Sequence, residues 1–287
     1  MICCPVCSTR VLVPLSHVGN YTVYECPQCQ LHFSDPMKSA SLEWYQQYQI
    51  YQVEKPRPTE IVHRDWRAKQ FFPMNLCSGG KLLDLGCGSG ALLKLAEQHG
   101  YEVTGVDFNP VRLRTAREFY GLHDLRMTSV EEFLTTSSEQ FDVVWLFSVL
   151  EHLENPRQFA CLLPRVIAPG GYLVCTVPNH QRWPQLFDPF LDTPPHHLTL
   201  WSEEALRRCL SDAGMNVVYI ACSPLLADHI YIYATLRWPA LKSWDLLGSI
   251  FRIPSVLLIC LLARIFRFLR PTAGKFILFA VAQRPIR

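Results

Sequence analysis

The sequence predicts an α/β fold in which a doubly wound sheet of seven strands, with an antiparallel last strand, follows a small cysteine-rich module. An apolar strand at 81–85 runs into a glycine turn and a helix, and the next strand, at 102–107, ends in an acid. Two Cys-Pro-x-Cys pairs stand ahead of this unit. The predicted boundaries are 1–36 for the module, 37–78 for a helical linker and 79–287 for the main domain, with a helical insertion at 223–274.

Composition excludes several classes of protein. The chain has 287 residues, 49% hydrophobic and 18% charged, so it can bury a core and is not disordered. A net charge of +2 does not indicate a generally basic nucleic-acid binder, and nucleic acid is not an expected partner. The nearest candidate for a membrane span, 253–263, is too short. Twelve cysteines without a signal-like start indicate a reducing cytoplasm.

The two cysteine pairs predict a zinc ribbon. Its candidate ligands are Cys4, Cys7, Cys26 and Cys29. Each pair places two thiolates on one tight turn, and two such turns supply the four soft ligands of tetrahedral zinc. The residues between the pairs, at 10–13 and 21–24, are typical of short strands. Because four thiolates leave no open position on the metal, the predicted zinc is structural.

The remaining elements of the fold follow from local patterns. The linker is expected to hold one helix at 59–72. A fifth strand is predicted at 171–177, and Ser202 is predicted to cap a helix that ends at Gly214. The sixth strand is predicted at 216–222. The seventh, at 275–283, is expected to lie antiparallel at the edge of the sheet.

The glycine turn has the form of a nucleotide-binding loop. Residues 86–90 read Gly-Cys-Gly-Ser-Gly, and Asp107 ends the following strand. Glycines let the backbone approach a ligand closely, and an acid at this position accepts hydrogen bonds from two ribose hydroxyls. A nicotinamide dinucleotide would also fit this pattern. Asp84, directly before the turn, favours a cofactor with an ammonium and a sulfonium, because a carboxylate repels a pyrophosphate.

Three segments resemble the motifs of class I S-adenosylmethionine-dependent methyltransferases: 83–90, 105–107 and 141–153. The resemblance is greatest to the subgroup with an N-terminal zinc ribbon, and it covers 79–222 and a last strand near 276–284. It implies a Rossmann-like fold and methyl transfer from S-adenosylmethionine.

Carried onto this sequence, the resemblance implies a cofactor site at the carboxyl ends of the first four strands. Asp84 and the glycine turn would hold the methionine end, Asp107 the ribose, and Phe108 would lie beside the adenine. Ser129 stands where the family usually has an acid that contacts the adenine amino group, so the sequence departs from the family there. The implied cofactor-binding residues are Asp84, Gly86, Cys87, Gly88, Gly90, Asp107, Phe108, Val130, Phe147 and Ser148.

Methyl transfer needs an aligned acceptor, removal of its proton and exclusion of water. Phe147 and Ser148 are expected to line the transfer channel. Two imidazoles are the candidate catalytic bases: His152, after the fourth strand, and His197, on the loop before the capped helix. His196 is the less favoured neighbour of His197. For each of these imidazoles, packing or a hydrogen bond to the backbone is the alternative role.

The insertion before the last strand carries a basic and apolar segment. Between 237 and 275 there are seven basic residues and one acid, and Arg264, Arg267 and Arg270 share one helical face. Such a segment suits peripheral contact with an anionic membrane. A lid over an apolar acceptor, a dimer interface or a helical hairpin covering its own sheet would give the same pattern.

The sequence therefore predicts a cytoplasmic methyltransferase that uses S-adenosylmethionine on a small-molecule or glycan-type acceptor, which could be lipid-linked and reached at the membrane surface. The glycan-type acceptor comes only from the resemblance, since ribbon-bearing relatives include sugar methyltransferases. Three alternatives remain: an RNA methyltransferase that grips RNA with the ribbon, a nicotinamide-dependent oxidoreductase, and a non-catalytic binding protein. The RNA methyltransferase is disfavoured because residues 1–35, which would grip the RNA, contain a single Lys or Arg, Arg10.

Overall fold

The computed structural model describes residues 2–41, 44, 56, 58–182, 192–224 and 274–286. The strands are β1 (Ile2–Cys3), β2 (Arg10–Val11), β3 (Pro14–Val18), β4 (Tyr21–Glu25), β5 (His32–Asp35), β6 (Lys81–Leu85), β7 (Glu102–Asp107), β8 (Leu125–Met127), β9 (Phe141–Phe147), β10 (Ile167–Pro178), β11 (Thr199–Leu200), β12 (Asn216–Pro224) and β13 (Gly274–Gln283). The helices are α1 (Thr59–Val62), α2 (Trp66–Phe71), α3 (Ala91–Gln98), α4 (Pro110–Glu118), α5 (Val130–Thr136), α6 (Pro156–Val166) and α7 (Glu203–Asp212), with 3₁₀ turns at Phe72–Met74 and Leu150–His152.

Two of the predicted regions lie almost wholly outside the described residues. These are the helical insertion at 223–274 and the basic stretch at 237–275. In the described part of the chain, no helix is long and apolar enough to cross a membrane.

The main sheet confirms the predicted doubly wound architecture. Its seven strands follow the order β12-β13-β10-β9-β6-β7-β8. The chain builds outward from β6 to β8 and then returns to the other side of β6 with β9 and β10. The four pairings among these five strands are parallel. The order therefore reverses between β6 and β9. In open α/β sheets, ligands bind outside the carboxyl ends of the strands at this switch point.

The expected position of the last strand is wrong. β13 is antiparallel as predicted, but it lies between β10 and β12 and pairs with both, so β12 is the edge strand. The seven residues from Phe276 to Ala282 are all apolar, and apart from the partly exposed Ile277 they are buried. A continuous apolar run of this kind is typical of an interior strand, whereas every residue of β12 except the buried Ser223 is at least partly exposed.

The helix expected at 59–72 is also wrong, because the chain forms two shorter helices there. Asp65 lies in extended conformation and its side chain accepts a hydrogen bond from the backbone N–H of Arg67, 2.9 Å away. A carboxylate that caps a helix in this way stabilises a new helix start. The cap divides α1 from α2.

The ribbon and the main domain form one structure. β3, β4 and β5 make an antiparallel sheet whose fourth strand is β11, from the loop that carries His196 and His197. Ser34 donates from its hydroxyl to the carbonyl of Leu198 at 2.8 Å. A single apolar core also extends from the ribbon cysteines to residues of β6 and β9. The ribbon therefore holds the loop that follows β10.

Candidate active site

The glycine turn is anchored to the end of β7. The backbone N–H groups of Gly86 and Cys87 both donate to the carbonyl of Val106, at 2.8 and 3.0 Å. Gly90 has a φ of +80°, and a Cβ there would lie 2.6 Å from Leu122 and 3.0 Å from the Cβ of Ala116. Only glycine combines that left-handed conformation with so close an approach to α4. The predicted strand, turn and helix are confirmed.

Asp84, the last acid before the turn, is buried and only partly satisfied. It is 4% exposed, and its Oδ1 has no hydrogen-bond partner among the described residues. Burial raises the pKa of Asp84 to about 7, an effect that nearby Arg67 opposes and Asp107 reinforces. A buried carboxylate with an unused oxygen fits a cationic ligand that donates hydrogen bonds.

Asp107 lies against the turn at the end of β7. Its Oδ2 accepts the N–H of Gly88 at 2.8 Å, and its Oδ1 accepts the N–H of Asn109 at 2.8 Å. A carboxylate has about four acceptor sites, and one at the end of this strand can accept hydrogen bonds from ribose hydroxyls. Phe108, the next residue, is 50% exposed. This arrangement suits a ribose held beside an exposed aromatic ring.

Other predicted cofactor-binding residues follow β8 and β9. Ser129 caps α5 by accepting the N–H of Glu132 at 3.1 Å, and Val130 is the first residue of that helix. Phe147 ends β9 with its ring 5.5 Å from the guanidinium of Arg67. Ser148 follows it in a left-handed conformation, with a φ of +56°. All of these residues lie at the carboxyl edge of the sheet.

Three imidazoles meet beyond β9. The ring centroids of His152, His196 and His197 lie 4.5–4.9 Å apart in every pair. Their ligand atoms all lie within 4.8 Å of one another. His152 Nδ1 donates to the backbone carbonyl of His196 at 2.7 Å, because a carbonyl can only accept. The neutral His152 ring therefore carries its lone pair on Nε2. We call this group the imidazole cluster.

Two acidic side chains adjoin the imidazole cluster. Asp192 accepts two hydrogen bonds from Arg182, at 3.2 and 2.6 Å, and its Oδ1 lies 3.8 Å from Nδ1 of His197. Glu151 is 1% exposed, and its Oε2 has no hydrogen-bond partner among the described residues. Burial raises the pKa of Glu151 to about 7, although His197 opposes this effect. Burial, together with His197 and His196, holds the pKa of His152 well below its usual range.

The glycine turn and the imidazole cluster lie on opposite sides of the switch point. A Cβ on Gly86 would lie 2.7 Å from a methyl group of Val149, in the segment after β9. A Cβ on Gly88 would lie 3.6 Å from the guanidinium of Arg112, and the charge of that guanidinium lowers the pKa of His152. The two predicted halves of the site are therefore neighbours.

The four thiols of the ribbon also converge. Cys4 and Cys29 have their sulfurs 3.6 Å apart, and those of Cys7 and Cys26 are 3.4 Å apart. Zinc–sulfur bonds of about 2.3 Å in a tetrahedron separate the sulfurs by about 3.8 Å. A hydrogen bond from the Cys29 thiol lowers the pKa of Cys4 to about 5. The donor set and its spacing fit zinc.

Sequence reasoning missed two groups beside the cluster and under-rated a third. Asp192 and Arg182 carry no motif, and ten residues separate them along the chain. Glu151 is the third group: its backbone carbonyl accepts the N–H of Leu198 at 2.8 Å, while its carboxyl lies near His197. The contact of β5 with β11 links residues 164 positions apart, as the bond from Ser34 shows, and no local pattern indicates it.

A model of the family described as "Methyltransferase domain" matches residues 57–220, more than half of the chain. Among curated proteins, a ubiquinone biosynthesis O-methyltransferase from Azoarcus sp. (strain BH72) is 32% identical over 154 residues, 47% of this chain and 66% of that protein. The mitochondrial protein of the same name from Schizosaccharomyces pombe is 36% identical over 116 residues, 38% of this chain and 42% of that protein. The chain thus spans less than two thirds of the length of these relatives.

Two solved structures share the fold. A SAM dependent methyltransferase from Archaeoglobus fulgidus superposes with a TM-score of 0.54 at 18% identity, covering 84% of this chain and 99% of that one. The N-methyltransferase NodS from Bradyrhizobium japonicum WM9, in complex with S-adenosyl-L-homocysteine, gives 0.52 at 17% identity, covering 84% and 98%. At these identities the likeness concerns the fold alone.

Proposed function

Because the chain belongs to the methyltransferase-domain family, we propose that it transfers the methyl group of S-adenosylmethionine to a hydroxyl oxygen of a small organic acceptor. The curated relatives described above are named O-methyltransferases, which supports oxygen as the acceptor atom. The observation that carries the proposal is the position of the glycine turn and Asp84 across the switch point from the imidazole cluster.

The residues around the turn suit the cofactor. Asp84 has a buried oxygen available for the ammonium of the methionine end, and Asp107 has acceptor capacity for the ribose hydroxyls. Cys87 and the three glycines of the turn leave room for close backbone approach. When bound, the cofactor would supply a methyl group already activated by the sulfonium. The protein then has to orient the acceptor, take its proton and exclude water.

His197 is the proposed base, and His152 its supporting partner. The carboxylate of Asp192, 3.8 Å from Nδ1 of His197, favours the protonated ring that forms when Nε2 takes the acceptor proton. His152 is a weaker candidate because its environment lowers its pKa well below the usual range. Its ring, locked by the bond to the carbonyl of His196, packs edge-on against His197 and orients it.

Calorimetric titration with S-adenosylmethionine and, in parallel, NADH tests the cofactor. We expect micromolar binding of S-adenosylmethionine, weakened about a hundredfold in Asp107→Ala, because two hydrogen bonds to a charged group are lost. Asp212→Ala, which removes an exposed carboxylate at the end of α7, is the matched control and should bind normally. Binding of NADH instead would favour the oxidoreductase, and binding of neither would leave a non-catalytic protein.

We also propose that the four ribbon thiols hold one structural zinc ion. Their number and spacing support it, and the ribbon has little apolar core beyond the one it shares with the main domain. Cytoplasmic location stays a prediction. Peripheral membrane contact through 237–275 also stays a prediction, since that stretch lies almost wholly outside the described residues. A glycan-type molecule stays the predicted acceptor that carries the hydroxyl. The prediction that this acceptor is lipid-linked rests on the stretch at 237–275, which is almost wholly undescribed.

A further inference from the structure

A cavity of about 520 Å³ lies between the ribbon sheet and the loop that carries His197. Val23 and His32 line it from the ribbon, whereas His180 and Asp192 line it from the segments that follow β10. None of the predicted cofactor-binding residues is among its described lining residues. A ligand in this cavity therefore lies apart from the proposed cofactor cradle and from the methyl group that the cofactor would carry.

Two side chains that line the cavity are more than nine-tenths buried and have polar atoms without a hydrogen-bond partner among the described residues. These atoms are Nε2 of His180, which is 8% exposed, and Oγ1 of Thr199, which is 1% exposed. Buried polar atoms normally have partners. The two atoms therefore indicate that a polar ligand completes the site.

The polar groups around the cavity accept hydrogen bonds. Burial lowers the pKa of His180 to about 4, so its ring is neutral at pH 7. The ring donates a hydrogen bond to the backbone of Gln30, and a neutral imidazole has only one N–H, so Nε2 carries a lone pair. Glu25 and Asp192, which also line the cavity, contribute carboxylate oxygens. The matching ligand is one that donates hydrogen bonds.

The charges around the cavity favour a cation. No Lys or Arg appears among its described lining residues. Arg182 balances Asp192, with 2.6 Å between the two side chains, but it is not part of the described lining. Burial lowers the pKa of His32 to about 4, so this ring, 3.7 Å from Glu25, is neutral at pH 7. The carboxylate of Glu25 therefore leaves the described lining with a net negative charge.

The ribbon side of the cavity is apolar. Val23, Phe33 and Leu200 contribute carbon surface where β4, β5 and β11 pair. Pockets that combine apolar walls with a few polar groups bind molecules that have an apolar body and a polar end. The matching ligand thus has a hydrocarbon part as well as a cationic donor.

We propose that this cavity binds a primary alkylammonium ion, whose NH₃⁺ group donates to Nε2 of His180, Oγ1 of Thr199 and a carboxylate. An ammonium has three donors and no acceptor, which matches this set of groups. The site goes beyond the proposed function, because its occupant is neither the cofactor nor the methyl acceptor.

The test uses the full-length, zinc-loaded protein at pH 7 in a buffer without amines. Four probes with the same hydrocarbon chain are titrated separately: hexylammonium, hexyltrimethylammonium, hexan-1-ol and hexanoate. The readout is the imidazole NMR resonances of His32 and His180, assigned with His32→Gln and His180→Gln. These titrations need neither cofactor nor acceptor, so their failure is distinct from failure of the proposed function.

We expect hexylammonium to shift both resonances and hexanoate to shift neither. Hexylammonium should bind about tenfold more tightly than hexyltrimethylammonium, which keeps the charge but has no N–H, and than hexan-1-ol, which has no charge. No shift with hexylammonium would overturn the proposal. Equal affinity for hexylammonium and hexan-1-ol would also overturn it, because the cavity would then select only the chain.

A matched pair of threonine substitutions localises the ammonium. Thr199→Val should weaken hexylammonium binding about tenfold, because a hydrogen bond to a charged group is lost. Thr176→Val is the control, since Thr176 is equally buried and its Oγ1 has no hydrogen-bond partner among the described residues, but it does not line the cavity. An equal loss in both variants, or no loss in Thr199→Val, would contradict the assignment.

A charge substitution at the cavity tests the role of the carboxylate independently of the threonines. Glu25 is exposed, so Glu25→Gln is compatible with folding even where Thr199→Val is not. It should also weaken hexylammonium binding about tenfold and leave hexan-1-ol binding unchanged. Unchanged hexylammonium binding in Glu25→Gln would contradict the proposed cation site.

Discussion

The four-thiol cluster and the imidazole cluster both bring metal-ligand side chains within 4.8 Å of one another, but they are assembled over different ranges of the chain. Each half of the thiol cluster is one Cys-Pro-x-Cys turn, and its sulfur pairs join residues 19 and 25 positions apart. The imidazole cluster joins the end of β9 to a loop 44 residues later.

This difference separates what short motifs specify from what the whole fold specifies. The thiol cluster is complete within the ribbon, and its four ligands leave no open position. The imidazole cluster needs β9, β10 and the ribbon edge to be in place, because β11 holds the loop of His197 against β5. The first cluster suits structure, and the second, beside the switch point of the main sheet, is where the proposed chemistry would lie.

The largest expected effect comes from breaking the thiol cluster with Cys26→Ala. The chain should lose its one equivalent of zinc, and since metal binding supplies folding energy to such ribbons, the ribbon should unfold. The loop of His197 would lose its strand partner, so methyl transfer should disappear too. Elemental analysis, circular dichroism and formation of S-adenosylhomocysteine measure the three losses.

Cys3→Ala is the matched control, because Cys3 is exposed and outside the cluster. Zinc retained in Cys26→Ala would contradict the proposed site. Two equivalents of zinc in the wild-type protein would show that the imidazole cluster also binds metal. The contrast between a structural thiol cluster and a metal-free imidazole cluster would then be wrong.

Within the imidazole cluster, His197→Asn should lower kcat by about 10²–10⁴ through loss of the base, with the affinity for S-adenosylmethionine unchanged. Rates are measured as formation of S-adenosylhomocysteine with an acceptor found by screening. His123→Asn, at an exposed histidine far along the chain, is the control. A large loss in His152→Asn with none in His197→Asn would reverse the two roles.

The buried carboxyl of Glu151 predicts a pH-dependent stability difference. Its folded-state pKa, raised to about 7 from 4.5 chiefly by burial, means that the folded protein holds this proton more tightly than the unfolded chain. The stability from this group is therefore fully present below pH 4.5 and is lost as pH rises towards 7. Glu151→Gln should be stabilising relative to wild type by up to about 3 kcal/mol at pH 8 and by much less at pH 5.

Urea unfolding at the two pH values measures this difference. Glu131→Gln, an exposed acid in the first turn of α5, should show no such change with pH. A Glu151→Gln effect equal at both pH values would mean that the carboxyl is already ionised in the folded protein near pH 5.

The smallest expected effect concerns the hydrogen bond between the ribbon and the loop of the imidazole cluster. Ser34→Ala removes the hydroxyl that donates to the carbonyl of Leu198 at 2.8 Å, which should cost about 1 kcal/mol of folding stability. Thermal unfolding measures it, with exposed Ser211→Ala as the control. A much larger cost with loss of activity would show that this bond alone holds the loop.

Local signals made part of the fold predictable. The bounds of β6 and β7 agree with the prediction, because an apolar strand, a glycine turn and a terminal acid follow one another within 27 residues. The thiol cluster was predictable for the same reason. Ser202 caps α7 as expected, with its hydroxyl accepting the N–H of Ala205 at 3.0 Å.

The wrong predictions and the omissions concern features that depend on contacts between distant segments of the chain. The position of β13 in the sheet was predicted wrongly because the sequence of a strand does not specify which strands it pairs with. Its unbroken apolar run does, however, indicate an interior strand. β11 is two residues long and exists because β5 offers it an edge. The roles of Asp192 and Arg182 depend on a salt bridge between residues ten positions apart, which no local sequence pattern indicates.

The pairing of β5 with β11 also has a consequence during synthesis on the ribosome. Residues 32–35 are made early, soon after the four thiols of the ribbon, yet their partner at 199–200 is made more than 160 residues later. Throughout that interval the β5 edge presents unpaired backbone groups, a template for wrong partners. The interval ends when β11 is made and the loop of His196 and His197 can pair with the ribbon, while β12 and β13 of the main sheet are still to follow.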